Sequence, residues 1–321
     1  LRTSLPTVAK LNIPKWCLNG HWHTIGQSLL NFSQKPSCQR LTIPTPDDDF
    51  LELDVIDAKN NRPVVALFHG LEGSADRYYI IKLMRTLDDM NYSVVAVNFR
   101  SCGSRMNRQR RFYHSGETED FHTVFSWIKR RFPDSPPAAV GFSLGGNALL
   151  KYLGEQGKNS LLHSAVAVSV PYDLKAGSEK IGAGFNQLYE YIFLKSLKKK
   201  LNQKRKTYPD LPSFSGSSLY AFDDQVTGPI HGFAGAEDYY ARCSSGQFVP
   251  QIDVPTLLIH SKEDPICPAD RMPLAAVKQK NNLDYIITDE GGHVGFHSRP
   301  SGWLCKTIKK YLVKNSFFSC S

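Results

Sequence analysis

Short apolar runs alternate with longer amphipathic stretches from residue 40 onward, and this alternation predicts the elements of the chain. Arg40–Ile43, Leu51–Ile56, Val64–His69, Tyr92–Phe99, Ala138–Ser143, Ala165–Val170, Thr256–His260 and Asp284–Asp289 read as strands. Most are dominated by Val, Ile, Leu and Ala, as strands buried on both faces require. Helices are expected near 76–90, 118–132, 144–156 and 301–313. Glu119 and Asp120 put acids into a first helical turn, where the dipole favours them. Such alternation implies a mostly parallel, eight-stranded α/β sheet with helices on both faces.

Two segments depart from this rhythm. Residues 1–40 are rich in breakers and aromatics and read as an irregular N-terminal cover. Residues 172–250 hold the amphipathic stretch 185–201 and then a loop rich in Pro, Ser and Gly. They are expected to form an inserted helical lid over the carboxyl ends of the strands, where open α/β sheets bind ligands. The whole of 1–321 is read as one domain.

Composition narrows the function classes. The chain has 321 residues, 41% hydrophobic and 21% charged, which is enough to bury a full core. Its longest apolar stretch, Leu161–Val170, is interrupted by His163 and two serines and falls well short of the ~20 residues of a spanning helix. The first thirty residues carry no charged-then-apolar leader pattern. Seven cysteines are scattered and never form a CxxC pair, which argues against a disulfide framework or a zinc site and for a reducing, cytoplasmic setting. The net charge of +9 gathers in two clusters, Arg100 to Arg111 and Lys195 to Lys206. No zinc-finger spacing, RNA-binding aromatic signature or basic heptad accompanies them, so nucleic acid is not an expected partner.

The sharpest chemical signal is Gly141-Phe142-Ser143-Leu144-Gly145, between the strand-like Ala138–Val140 and the helix-like Asn147–Leu153. A serine on a tight strand-to-helix turn needs small neighbours, and the new helix offers free N–H groups to a developing oxyanion. Hydroxyl nucleophiles need a base held by an acid. Among the downstream histidines, only His293 lies in a Gly-Gly-His turn just after a strand. His297, four residues on, completes an HxxxH pair without the Glu of a zinc-protease motif and reads as structural. Asp264, in the loop after the Thr256 strand, is the expected acid. Asp173, after the preceding strand, is its rival, and the plain alternative is that Asp264 only starts a turn before Pro265. Backbone N–H groups of Leu71 and Leu144 are the expected oxyanion donors, and His69 is expected to be structural.

These motifs together resemble the YheT-like branch of the α/β-hydrolase family. The resemblance rests on Asn19-Gly20-His21, His69 to Gly73, Asn98 to Gly103, Tyr113 to Asp120, Gly141 to Asn147, Gly291 to Phe296, and Asp238-Tyr239-Tyr240 with Cys243-Ser244-Ser245. Ser101 stands where the family more usually has Gly. The resemblance carries the triad onto Ser143, Asp264 and His293, and implies esterase or lipase-like activity on acyl esters without a metal or organic cofactor. The family includes membrane-linked phospholipases and yeast ethyl-ester synthases, and no N-terminal span like that of the anchored members is expected here.

Ester hydrolysis through an acyl-enzyme is therefore the leading expectation. Acyl transfer to an alcohol would use the same residues, and a non-catalytic ligand-binding module would keep only the fold. Phe185, Leu188, Tyr189, Ile192, Phe193, Leu197 and Leu201 are expected to form one apolar stripe. The plainer expectation lays this stripe over an acyl pocket with its lysines solvated. The sharper one brings the basic segment 185–206 against an anionic membrane.

Overall fold

The structure is a computed structural model that describes residues 8–30, 34–58 and 62–315. Its strands are β1 (Val8–Ala9), β2 (Gln39–Pro44), β3 (Phe50–Ile56), β4 (Val64–Phe68), β5 (Ser93–Asn98), β6 (Pro137–Phe142), β7 (Ser164–Val168), β8 (Thr256–Ser261) and β9 (Leu283–Thr288). They form one sheet in the order β1-β9-β8-β7-β6-β4-β5-β3-β2. Only β3 runs against the others. All eight expected strands form, and β1 adds a short ninth at the edge beside β9.

Period-two alternation divides the core. Ala66 and Phe68 of β4 join Val95, Val97, Ala139 and Ala165 on one face, with Phe121 and Val124 of α3 (Glu119–Arg131) and Leu149 of α4 (Leu144–Gln156). Val65 and Leu67 join Val94, Val140 and Val166 on the other, with Leu83 of α2 (Tyr78–Asp88) and Ile308 of α11 (Trp303–Lys314). A strand residue and its neighbour point to opposite faces, so an all-apolar strand feeds both layers.

The N-terminal cover is not irregular throughout. It contains α1 (Gly20–Leu30), started by Asn19, whose Oδ1 accepts from the N–H groups of His21 (3.0 Å) and Trp22 (3.3 Å). Gly20 packs directly on the loop after β8, where an added Cβ would fall 1.8 Å from the Glu263 carbonyl oxygen. Asn is a favoured helix-starting residue, and that signal lay within Asn19-Gly20-His21.

Between β7 and β8 the chain builds the expected helical insertion. It comprises α5 (Leu174–Ile181), α6 (Gln187–Lys204), α7 (Leu219–Phe222), α8 (Gly228–Ile230) and α9 (Ala236–Cys243), and α10 (Leu274–Gln279) follows β8. A small core of its own, including Tyr189, Leu194, Leu201, Phe222 and Val226, holds the insertion together and meets Leu71 and Ile266 of the sheet loops.

The apolar stripe on α6 does not stay on one face. Tyr189 and Leu201 are buried, whereas Leu188 and Ile192 are exposed, together with Phe185 just before the helix. At about 100° per residue, Ile192 and Leu201 stand on opposite sides of a helix. Spacings of four residues drift around the axis, and the stripe splits into a core-facing and a solvent-facing half.

Much of the basic charge is neutralised internally. Arg100 is buried and bonds Asp120, Asp47 and Asp49 at 2.7–2.9 Å, while Arg110 pairs with Asp210 and Arg111 with Asp47 and Glu119. The arginine cluster is largely a set of ties between the β2–β3 turn, the β5 loop and α3. Ser101, next to Arg100, has φ 62°, which explains why glycine suits that position.

Candidate active site

β6 delivers Ser143 to the carboxyl edge of the sheet, and α4 begins at the next residue. Ser143 has φ 53° and ψ −121°, a strained conformation for a residue with a Cβ. Its N–H donates to the Val168 carbonyl at 2.8 Å, and Asn147 returns a bond to its own carbonyl at 2.9 Å. A Cβ at Gly141 would lie 2.5 Å from the Gly145 carbonyl, and one at Gly145 would lie 2.5 Å from the His69 carbonyl. The turn therefore closes only with glycine at both places, and the N-terminus of α4 abuts the loop after β4.

Ser143 Oγ is 2.8 Å from His293 Nε2, and His293 Nδ1 is 3.0 Å from Asp264 Oδ2 and 3.2 Å from Oδ1. All three side chains are buried. The carboxylate is positioned by more than the imidazole: Oδ1 accepts from the N–H groups of Ile266 (2.8 Å) and Cys267 (2.9 Å). Asp264 thus both starts the turn before Pro265 and faces the base. Burial would raise its carboxyl, but His293, His260 and the Cys267 amide outweigh it, and the net shift is downward. It stays ionised to hold the imidazole.

Asp173 plays another part. It starts α5, accepting from Ala176 N at 3.0 Å, with Arg271 Nε 3.9 Å away. An Asp before a helix is accounted for by that bond.

Asp264, Cys267 and His293 also bring ligand atoms within 4.8 Å of one another. Burial pushes the Cys267 thiol well above its ordinary value, so it offers no ready thiolate, and the Asp264 oxygens are already bonded. The grouping is the acid–base end of the triad rather than a built cation site.

A Ser–His–Asp relay on this nine-stranded sheet decides the family. The chain belongs to the α/β-hydrolase family. A family model described as "alpha/beta hydrolase fold" matches residues 63–300. The hydrolase is 36% identical over 291 residues to a candidate esterase of Escherichia coli (strain K12), YheT, covering 87% of this chain and 85% of that one. It is 28% identical to the phospholipase ABHD3 of Homo sapiens, over 97% of this chain and 81% of the relative. An esterase of Pyrococcus furiosus shares the fold, with a TM-score of 0.62 at 18% identity, covering 96% of this chain and 99% of that one.

Around the hydrolase's triad lies a cleft lined by Ser143, His293, Leu71 and Leu144 below and by Ile181, Phe193, Leu197 and Val226 of the insertion above. The core-facing half of the α6 stripe thus forms its roof. His69 is buried and structural: Nδ1 donates to the Gly70 carbonyl at 2.7 Å and Nε2 accepts from Phe99 N at 3.2 Å. Burial holds this imidazole down at about 3, so it is neutral and ties the loop after β4 to the end of β5. His297 donates its N–H to His23 Nδ1 at 3.0 Å and packs edge-on against Trp16. It helps dock α1 and takes no part in the relay.

Sequence reasoning missed the supports of the base. His293 N donates to Thr24 Oγ1 of α1 at 2.8 Å, and Val294 N donates to Ser169 Oγ at 3.1 Å. His21 Nδ1, three residues before Thr24, meets the lid at Tyr189 Oη, 3.0 Å away. The Asn19-Gly20-His21 motif was the available signal.

The basic residues of α6 are not one solvated face either. Lys204 is buried, with Nζ donating to the carbonyls of Asn107 (3.0 Å) and Gln109 (2.6 Å) and to Asn107 Oδ1 (2.5 Å). Lys200 reaches Glu72, and Lys198 the Gly216 carbonyl. Lys195 and Lys199, and Lys206 just past the helix, are exposed.

Proposed function

We propose that this protein hydrolyses carboxylic acyl esters whose acyl chain lies in the cleft beneath α6, with Ser143 as nucleophile. The observation that carries the reading is the 2.8 Å contact of Ser143 Oγ with His293 Nε2, inside a cleft with a mainly apolar roof. His293 Nε2 takes the Oγ proton as Oγ attacks the ester carbonyl, and the Asp264 carboxylate stabilises the imidazolium through Nδ1. The tetrahedral oxyanion is held by the N–H groups of Leu71 and Leu144, which sit on the two chain segments that abut at Gly145. The imidazolium then protonates the departing alkoxide. A water, deprotonated by the same nitrogen, releases the acid and restores Ser143.

The partner surface follows from the solvent-facing half of the lid. Phe185, Leu188, Tyr191 and Ile192 are exposed, and across the His21–Phe185 ring contact at 4.9 Å so are Leu18 and Trp22. Lys195 and Lys199 stand beside them on α6. An apolar crown with adjacent cations suits the interface of an anionic lipid surface, where acyl esters reside. The phospholipase named among the relatives supports this reading. The free thiols of the six described cysteines support a reducing, cytoplasmic setting.

Labelling with a fluorophosphonate probe, followed by turnover of p-nitrophenyl esters from acetate to palmitate, tests the function. Labelling at Ser143 and a preference for apolar chains are expected. No labelling and no turnover of any chain length would end the reading.

A further inference from the structure

The residue after Leu71 is held from the lid. Glu72 has φ 51°, a left-handed conformation that a non-glycine residue keeps only where its surroundings fix it. Five bonds do so. Its N–H donates to Tyr113 Oη at 2.7 Å, and its carbonyl accepts from Arg77 Nη2 at 2.6 Å. Tyr113 Oη donates back to Oε1 at 2.9 Å. The remaining two bonds come from α6: Lys200 Nζ donates to Oε1 at 2.9 Å, and Ser196 Oγ donates to Oε2. The carboxylate has only 2% exposure. Burial would lower the Lys200 ammonium, but Cys102 and Glu72 outweigh it, so the net shift is upward and the cation persists.

We propose that Glu72 is a positioning residue that couples the seating of the lid helix α6 to the alignment of the oxyanion loop. With α6 seated, Lys200 and Ser196 fix the carboxylate. The carboxylate fixes the strained backbone, and that backbone aims the Leu71 N–H at the ester oxygen. With α6 lifted, Glu72 loses two of its five bonds, and a φ of 51° is no longer enforced. The hydrolase then admits a substrate in the open state but stabilises the tetrahedral intermediate only once the lid has closed over the acyl chain. The coupling rests on the reading of Ser143 as nucleophile and Leu71 as donor.

A donor that acts only on the oxyanion changes kcat and leaves KM nearly unchanged. The test uses the full chain and p-nitrophenyl butyrate. Lys200→Met, which loosens the donor without deleting it, is expected to lower kcat by about tenfold or more, up to the ~10²–10³-fold cost of losing one oxyanion donor outright, with KM within about threefold. Lys200→Arg is expected to recover most of the loss. Ser196→Ala, a smaller change suited to the case where Lys200→Met misfolds, is expected to lower kcat by roughly threefold or more. A kcat that stays unchanged in both Lys200→Met and Ser196→Ala, or a rise in KM alone, would each overturn the coupling. Failure of the parent reading is separate: it shows as wild-type turnover that survives Ser143→Ala.

Discussion

The main-chain N–H of His293 donates to Thr24 Oγ1 at 2.8 Å, so the loop carrying the base is held by a residue 269 positions earlier. Thr24 Oγ1 itself donates to the Gly20 carbonyl at 2.7 Å, and Val294, at φ 52°, is held from the other side by Ser169. Thr24→Val keeps the shape and removes the acceptor, leaving a partly buried N–H without its partner. A loss of about 1–2 kcal/mol in stability is expected, with kcat reduced roughly tenfold through misplacement of the imidazole. Thr24→Ser should restore both. Denaturant titration and steady-state kinetics on the three proteins check it, and full activity in Thr24→Val would show that α1 does not position the base.

Ser143→Ala removes the nucleophile without opening a cavity. Turnover is expected to fall by about 10⁴-fold or more, with stability changed by less than about 1 kcal/mol. Relief of backbone strain does not follow, since alanine at φ 53° remains unfavourable. Ester turnover and the thermal midpoint are the measurements.

The two aspartates separate by role. Asp264→Asn is expected to cost about 10⁴-fold in kcat, because an amide selects the wrong imidazole tautomer. Asp173→Asn keeps a good helix start and should leave kcat within a few fold and stability within about 1 kcal/mol. The reverse ranking would transfer the acid's role to the strand before the lid.

Lys204 makes stability depend on pH. Burial lowers its ammonium from 10.5 to about 8 in the folded state. Between those values the unfolded chain binds more protons, so folding stability contributed by this residue rises with pH. Wild type should therefore gain stability relative to Lys204→Met on moving from pH 7.5 to about pH 10. Urea titrations at the two pH values read the difference, and a gap that stays constant or shrinks contradicts the burial argument.

The exposed crown predicts lipid binding. Wild type should co-sediment with anionic vesicles, and binding should weaken as salt rises, because each cation near such a surface is worth about 1 kcal/mol. Replacing Trp22, Phe185 and Ile192 together by Ser should abolish binding while p-nitrophenyl acetate turnover stays within a few fold. Binding that is equal for neutral and anionic vesicles, or that survives the triple change, would remove the membrane role.

The sequence alone determined the sheet and the chemistry at its edge. Val64–Phe68, Pro137–Phe142 and Thr256–Ser261 are apolar enough to be buried on both faces, and the loops after the last two carry Ser143 and Asp264. Ser143 and His293 were legible because a strand-to-helix turn and a Gly-Gly-His loop leave local marks. Tertiary structure decided everything that depends on which distant segment fills a given space. Asp264 and Asp173 look alike as turn-starting residues, and only the neighbouring positions of β7 and β8 show that one faces His293 while the other starts α5. Thr24 is flagged only by its neighbours Asn19-Gly20-His21, since its acceptor role exists only because Gly20 lets α1 press on the acid loop. The lysines of α6 read as one solvated face because sequence records charge but not depth. Lys204 is instead buried and Lys200 partly buried, both matched to acceptors on loops about a hundred residues away. Pairing a buried charge requires a partner brought by the fold, and no one-dimensional spacing encodes that meeting.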